Sequence, residues 1–237
     1  MLVFVRVGAV MAVVPGFGEA SVPMRVRLML ALCFTAVVFP AVGADAAARV
    51  RLGLDALLIE AAAGLALGIG FRLFVFALQI AGTIAAQSTS LAQLTGGVAP
   101  EPLPAVGHLL NMAGLAIAVA AGLHVQLAEA LILSYGVMPA GALPAAEAMA
   151  QWGLAGVGRA FALALQLAAP FVVAALLYNL ALGAINRAMP QLMVAFVGAP
   201  ALTFGGLVLL LMTAPAAIML WQGALGRFAA APFGALP

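Results

Sequence analysis

One stretch of the sequence constrains the fold more than any other: Glu60, Gly64, Gly68 and Arg72 recur every four residues in an otherwise apolar run. On an α-helix this spacing places the four residues along one stripe. Glycines allow a second helix backbone to approach closely, and charged side chains in an apolar run are costly unless they face protein or water. We therefore predict that this helix packs along its stripe, and that the chain is part of a larger membrane assembly.

The composition indicates the broad class of protein. The chain is 67% hydrophobic and 7% charged, whereas soluble domains carry roughly 25% charged residues. We predict an all-α fold: a polytopic helical integral membrane protein with broken or kinked helices and helical hairpins, forming one membrane-embedded unit over residues 1–237. The nine arginines are scattered and form no basic face, so nothing indicates a nucleic-acid partner.

Six apolar stretches are expected to form the helices, at about residues 2–14, 26–43, 54–87, 105–134, 152–185 and 192–225. The first is short for a membrane span and the third is too long for one simple crossing. The residues from Met24 resemble a secretory signal peptide, but the apolar sequence on both sides favours a second span. Pro170 is expected to kink the fifth stretch or split it into a hairpin, and Pro200 and Pro215 are expected to interrupt the sixth.

The sequence predicts no catalytic residue, no metal site and no cofactor. His108 and His124 are 16 residues apart, which matches no joint metal-binding spacing. Cys33 is the single cysteine, so a cysteine metal cluster and an internal disulfide are excluded.

The two charges of the stripe have three interpretations. They form interhelical salt bridges or hydrogen bonds that fix helix docking, they belong to a proton or ion relay, or they merely lie near a membrane boundary. Glu60 and Arg72 lie about 18 Å apart along a helix axis and cannot pair with each other. Each needs a partner elsewhere in the chain or on another subunit.

Three blocks of sequence resemble the FliR family, which are flagellar export-gate subunits of the type III secretion apparatus. The first is PGFGEASVPMRVRLMLAL at residues 15–32, and the second is the Glu60, Gly64 and Gly68 spacing followed by LQIAG. The strongest match is NLALGAINRAMPQL at residues 179–192, with Gly198 and Pro200 after it. The family's usual Asn-Val-Phe run after Pro-Gln-Leu is replaced here by MVA.

The resemblance implies a subunit that joins P-type and Q-type subunits and other export-apparatus proteins in a helical, dome-shaped complex of the bacterial inner membrane, in the flagellar basal body. Unfolded export substrates pass through this complex, and membrane lipid surrounds it. The family-motif residues that are candidates for subunit contacts are Pro23, Arg25, Arg27, Asn186, Arg187, Pro190, Gln191, Gly198 and Pro200. The glycine-bearing helix is expected to pack on a neighbouring subunit, with Glu60, Arg72 and Arg187 fixing the intersubunit register.

A polar stretch at about residues 87–104 is interpreted either as a plug of the closed pore, as the resemblance implies, or as a simple surface loop. The candidate plug residues are Gln87, Ser88, Ser90, Gln93, Gly96 and Gly97. The rival function is a stand-alone secondary transporter or ion channel that uses Glu60 as an intramembrane coupling carboxylate.

Overall fold

The computed structural model describes residues 1–19, 22–42, 53–89, 105–142, 144–188 and 194–234, and these residues form seven α-helices and no β-strand. The helices are α1 Leu2–Val13, α2 Met24–Val42, α3 Leu54–Thr89, α4 Ala105–Ala120, α5 Leu123–Val137, α6 Ala146–Ala188 and α7 Val194–Ala230. By length and composition four helices can cross a membrane: Met24–Val42, Leu54–Ser88, Ala146–Ile185 and Leu202–Ala230. The predicted all-helical membrane class is confirmed.

The fourth apolar stretch is broken where no break was predicted. It forms α4 and α5, which meet at an angle of 74° and count together as at most one further span. Gly122 lies at the break with a φ of +85°, a left-handed conformation that glycine adopts readily and other residues rarely. No proline marks this position, and the residues around it, apart from His124 and Gln126, are apolar. The bend was therefore not predicted from the hydropathy pattern.

The prolines interrupt the long helices less than expected. α6 continues from Ala146 to Ala188 through Pro170. Of the two predicted outcomes, the hairpin is therefore wrong, and the kink stays a prediction. α7 likewise continues through Pro200 and Pro215. A proline removes one backbone hydrogen bond, and a long membrane helix tolerates this loss when neighbouring groups satisfy the freed carbonyl.

The chain divides into two compact units. The first, unit 1, comprises Met1–Val75, Leu115–Ala160 and Gln222–Pro237. Within it Phe228 of α7 packs edge-on against Phe71 of α3, with ring centroids 5.2 Å apart. Trp152 of α6 donates from Nε1 to the Pro232 carbonyl at 2.9 Å and packs against Phe233. Unit 1 is therefore tied together by aromatic packing near the chain's C-terminal residues.

The second, unit 2, comprises Phe76–Gly114 and Phe161–Trp221. A close helix approach in it lies between Gly82 of α3 and Gly107 of α4, where a methyl group on Gly82 would overlap the Gly107 backbone. About two turns further along α4, Gly114 faces the side chains of Leu78 and Trp221. Small residues therefore set the distance between helices in this unit.

The two units differ sharply in charge. Of the charged residues that the structure describes, all but Arg187 belong to unit 1. Those of unit 1 are Arg6, Glu19, Arg25, Arg27, Asp55, Glu60, Arg72, Glu129, Glu147, Arg159 and Arg227. The described helices of unit 2 thus have the composition expected of segments surrounded by hydrocarbon or by other apolar helices.

Candidate functional site

A buried ion pair joins α1 to α3. Arg6 and Glu60 meet with Nε 2.7 Å from Oε2 and Nη2 3.1 Å from Oε1, and both side chains are completely enclosed. This is the two-pronged arrangement in which a guanidinium matches a carboxylate best. Because each charge is removed from solvent, neither is tolerable without the other.

The remaining polar atoms of the pair are satisfied by α5 and the turn that follows it. Arg6 donates from Nη1 to Ser134 Oγ at 3.2 Å and from Nη2 to the Met138 carbonyl at 3.0 Å. Glu60 accepts from the Gly141 backbone N–H at 2.9 Å and from the Tyr135 hydroxyl at 3.3 Å. We call this set of contacts among Arg6, Glu60, Ser134, Tyr135 and the 138–141 turn the arginine–glutamate network.

The ring of Tyr135 also lies flat beneath the guanidinium, with the Arg6 Cζ 3.7 Å from the ring centroid. A desolvated guanidinium over an aromatic face gains a cation–π attraction of about 2 kcal/mol or more. Tyr135 thus contacts both charges, through its face and through its hydroxyl. Because the network is enclosed, its role is structural: it holds α1, α3 and α5 together.

The glycines of the stripe bring α1 and α3 into contact beyond the ion pair. A methyl group on Gly64 would overlap the Arg6 carbonyl oxygen, and one on Gly68 would lie 3.3 Å from the Val10 carbonyl oxygen and from Val13 Cβ. Contacting residue numbers rise together along both helices, so α1 and α3 run parallel here. The stripe is a groove that α1 fills.

Arg72 closes the other end of this contact. Its Nη1 donates to the carbonyl oxygen of Val13 at 3.1 Å, and Val13 is the last residue of α1. The last carbonyls of a helix lack intrahelical donors and carry partial negative charge. Arg72 therefore caps α1 and completes the stripe.

The sequence identified the stripe but not its partner. The partner expected was a neighbouring subunit, whereas the structure fills the stripe with α1 of the same chain. Arg6 was missed altogether. Its signal was an arginine in the middle of a 12-residue apolar helix, where a charge needs a buried counter-ion.

The N-terminal family-motif residues lie at the start of α2. Pro23 precedes the helix, Arg25 is exposed, and Arg27 donates from Nη2 to the Glu19 carbonyl at 2.9 Å. Among the described residues, none of these three forms a hydrogen bond with the arginine–glutamate network. Their role in subunit contacts stays a prediction.

The C-terminal family-motif residues lie around the α6–α7 junction. Asn186 and Arg187 belong to the last turn of α6, and Gly198 and Pro200 to the first turns of α7. Arg187 is exposed and lies beside Asn179 and Gly183 at an open groove. Pro190 and Gln191 lie outside the described residues.

Helix α3 extends to Thr89 and so includes the first residues of the predicted polar loop. Gln87 and Ser88 belong to α3, and Ser88 Oγ donates to the Ala85 carbonyl at 2.8 Å. The other plug candidates, Ser90, Gln93, Gly96 and Gly97, lie outside the described residues. Within the described ranges no three His, Cys, Asp or Glu side chains come close enough to hold a metal ion.

Comparison with known proteins gives a consistent result. Residues 1–228 match the family model described as "Bacterial export proteins, family 1". The flagellar biosynthetic protein FliR of Caulobacter vibrioides is 36% identical over 227 residues, which cover 93% of this chain and 90% of that protein. FliR of Escherichia coli is 29% identical over a match that covers 82% of this chain and 76% of that protein. FliR of Bacillus subtilis is 27% identical over a match that covers 84% of this chain and 80% of that protein.

Proposed function

The chain belongs to the FliR family of bacterial export proteins, and from that premise we propose that it is a subunit of the flagellar type III protein export gate. In this role it helps to form and close the channel through which unfolded flagellar proteins leave the cell. Its site of action is the bacterial inner membrane at the flagellar basal body. Its partners are P-type and Q-type gate subunits, and its work is architectural and conductive, with no catalytic step.

The buried, hydrogen-bonded environment of Glu60 is the observation that favours this proposal over the transporter alternative. A coupling carboxylate must exchange ions or protons with a water-filled path. Glu60 is 0% exposed and accepts hydrogen bonds from Arg6, Tyr135 and Gly141. This environment favours a structural carboxylate that pairs with Arg6 and has no path to water in the described residues.

The apolar surface of the long helices supports a role within an assembly. Large side chains on α2, α6 and α7 are widely exposed, as with Met29 at 62%, Leu154 at 75% and Leu211 at 77%. Contiguous apolar surface of this kind is covered by lipid or by other apolar helices. In a gate made of several hydrophobic subunits, this surface is covered by lipid and by the helices of other subunits.

Native mass spectrometry tests the assembly. The tagged full-length chain, extracted from its own host in mild detergent, is expected as one component of a heteromer with two other small hydrophobic proteins. Deletion of its gene is expected to abolish the flagellar filament and swimming, with recovery when the wild-type gene is restored. A homo-oligomer together with normal swimming of the deletion strain would contradict the proposal.

A matched pair of variants separates the gate from the transporter. Glu60→Gln and Glu129→Gln each remove one carboxylate, and Glu129 is exposed on α5. The gate predicts no proton or solute flux from the purified chain in vesicles, with or without either substitution. Flux that is lost only with Glu60→Gln, in a chain that still folds, would establish the transporter.

Closure of the channel is assigned to the segment that follows α3. Deleting Ser90–Val98 is expected to raise the leakage of small solutes through the assembled gate. Unchanged leakage, in a gate that still assembles, would remove this segment from the closing mechanism.

A further inference from the structure

The stripe on α3 offers α1 more than one similar packing position. Gly64 and Gly68 are identical and one turn apart, and the residues of α1 opposite them, Ala9, Val10 and Val13, are small and apolar. Moving α1 by one turn along α3, about 5.4 Å, would again place apolar residues against a glycine. At both glycines the contacts are made by α1 backbone, of Arg6 at Gly64 and of Val10 at Gly68, together with one small apolar side chain. Glycine packing alone therefore does not distinguish strongly between neighbouring alignments.

The charged residues do distinguish them. If α1 moved one turn toward the C-terminus of α3, Arg6 would lie beside Gly64 and lose Glu60. In the same movement the Val13 carbonyl would pass Arg72, which now donates to it at 3.1 Å. An enclosed guanidinium without its carboxylate is strongly disfavoured, so only one alignment satisfies both ends.

A third element depends on the same alignment. Arg6 Nη2 donates to Met138 O and Glu60 Oε1 accepts from Gly141 N, so the two charges bind both ends of the turn after α5. Gly141 adopts a φ of +72° in this turn. If α1 slipped along α3, the Arg6 guanidinium would move away from the Met138 carbonyl oxygen and this hydrogen bond would be lost.

We infer that the arginine–glutamate network is a register clamp, which selects one alignment of α1 on α3 from those that the glycine stripe permits and ties the 138–141 turn to it. This inference is independent of the proposed export function. Fixing register is the best-attested use of a buried polar group between packed helices. Well-packed apolar residues often replace a buried ion pair without loss of stability, so the clamp acts on alignment more than on stability.

Disulfide trapping tests the clamp in the full-length chain, with Cys33→Ser removing the native thiol. The native pair is Val13→Cys with Gly68→Cys, because Cβ atoms at these positions lie 3.3 Å apart, close to the disulfide mean of about 3.8 Å. The shifted pair is Ala9→Cys with Gly68→Cys, which meets after a one-turn slip toward the C-terminus of α3. A slip in the other direction lowers the yield of the native pair.

With the wild-type network we expect the native pair to cross-link and the shifted pair to stay at background. With Arg6→Met and Glu60→Leu together, the ratio of shifted to native cross-link should rise at least tenfold, at unchanged thermal stability. Arg6→Lys keeps the charge but loses the planar fork, so it should raise the ratio by a smaller factor. Glu129→Gln, an exposed acid, is the control and should leave the ratio unchanged.

Two results would overturn the clamp. An unchanged ratio in the Arg6→Met/Glu60→Leu chain or in the Arg6→Lys chain would mean that glycine packing sets the register by itself. A double variant that fails to fold would mean that the network is required for stability itself.

Discussion

Helix α3 makes two close glycine contacts, and they are built differently. In unit 1, Gly64 and Gly68 receive α1, with Glu60 and Arg72 at the two ends of the contact. In unit 2, Gly82 meets Gly107 of α4 with no charged residue in the described parts of either helix within that unit. The first contact combines shape with an ion pair and a capping arginine, whereas the described part of the second has shape without a charged side chain.

This difference indicates that the close approach of two membrane helices and their alignment along each other have separate structural causes. Small residues let two backbones come together and gain dispersion contacts. They give little directional information, because glycine offers no side chain to match. A polar pair adds direction, but only where its full set of donors and acceptors can be satisfied. Unit 1 satisfies that condition around Arg6 and Glu60.

The largest effect is expected from leaving one charge of unit 1 unpaired. Glu60→Ala should lower the free energy of unfolding by about 3–5 kcal/mol, because the Arg6 guanidinium stays buried without a counter-ion. Unfolding of the full-length chain in mild detergent measures this loss. Glu129→Ala removes an exposed carboxylate from α5 and should stay within about 0.5 kcal/mol of wild type. Equal effects of the two substitutions would contradict the assigned role of the pair.

An intermediate effect is expected at the glycine contact of unit 2, and it should be asymmetric. A methyl group on Gly82 would overlap the backbone of Gly107, whereas one on Gly107 would lie 3.6 Å from Gly82. Gly82→Ala should therefore cost about 1–3 kcal/mol through overpacking, while Gly107→Ala should cost little. The same unfolding experiment compares them. If both substitutions are tolerated, shape does not limit the approach of α3 and α4.

The smallest effect compares two tyrosine hydroxyls. The Tyr135 hydroxyl of unit 1 donates to Glu60 at 3.3 Å, while the buried Tyr178 hydroxyl of unit 2 has no hydrogen-bond partner among the described residues. Tyr135→Phe should lower the free energy of unfolding by about 1 kcal/mol, through the lost hydrogen bond. Tyr178→Phe should be neutral or stabilising, because it removes a buried polar group without a partner. The opposite order would reverse the contrast between the two units.

The sequence was sufficient for those features that repeat locally. Apolar runs located the helices within a few residues, and the four-residue spacing located the packing stripe. The identity of the helix that fills the stripe was not accessible, because Arg6 and Glu60 are 54 residues apart and spacing within one helix says nothing about its neighbours. A helix of 12 residues is also too short to span a membrane, so hydropathy does not indicate that it belongs to the core.

The bend at Gly122 and the continuity of α6 through Pro170 were not predicted, because residue type alone does not decide where a helix breaks. Glycine follows its intrinsic preference at Gly122, whereas the preference of proline is overridden at Pro170. Gly122 adopts a positive φ within an apolar run, and Pro170 is accommodated inside a long helix. Composition at these positions gives a tendency, and the surrounding packing decides the outcome.

The separation of Arg6 from its partners along the chain has a consequence for synthesis. The Met138 carbonyl that Arg6 binds lies 132 residues after it. At roughly 5–20 residues per second, a ribosome needs about 7–26 s to reach that residue after making Arg6. Helix α1 therefore completes its contacts only after the chain has been translated as far as Met138. A chain cut short before Met138 would leave Arg6 of α1 without the acceptor at the Met138 carbonyl.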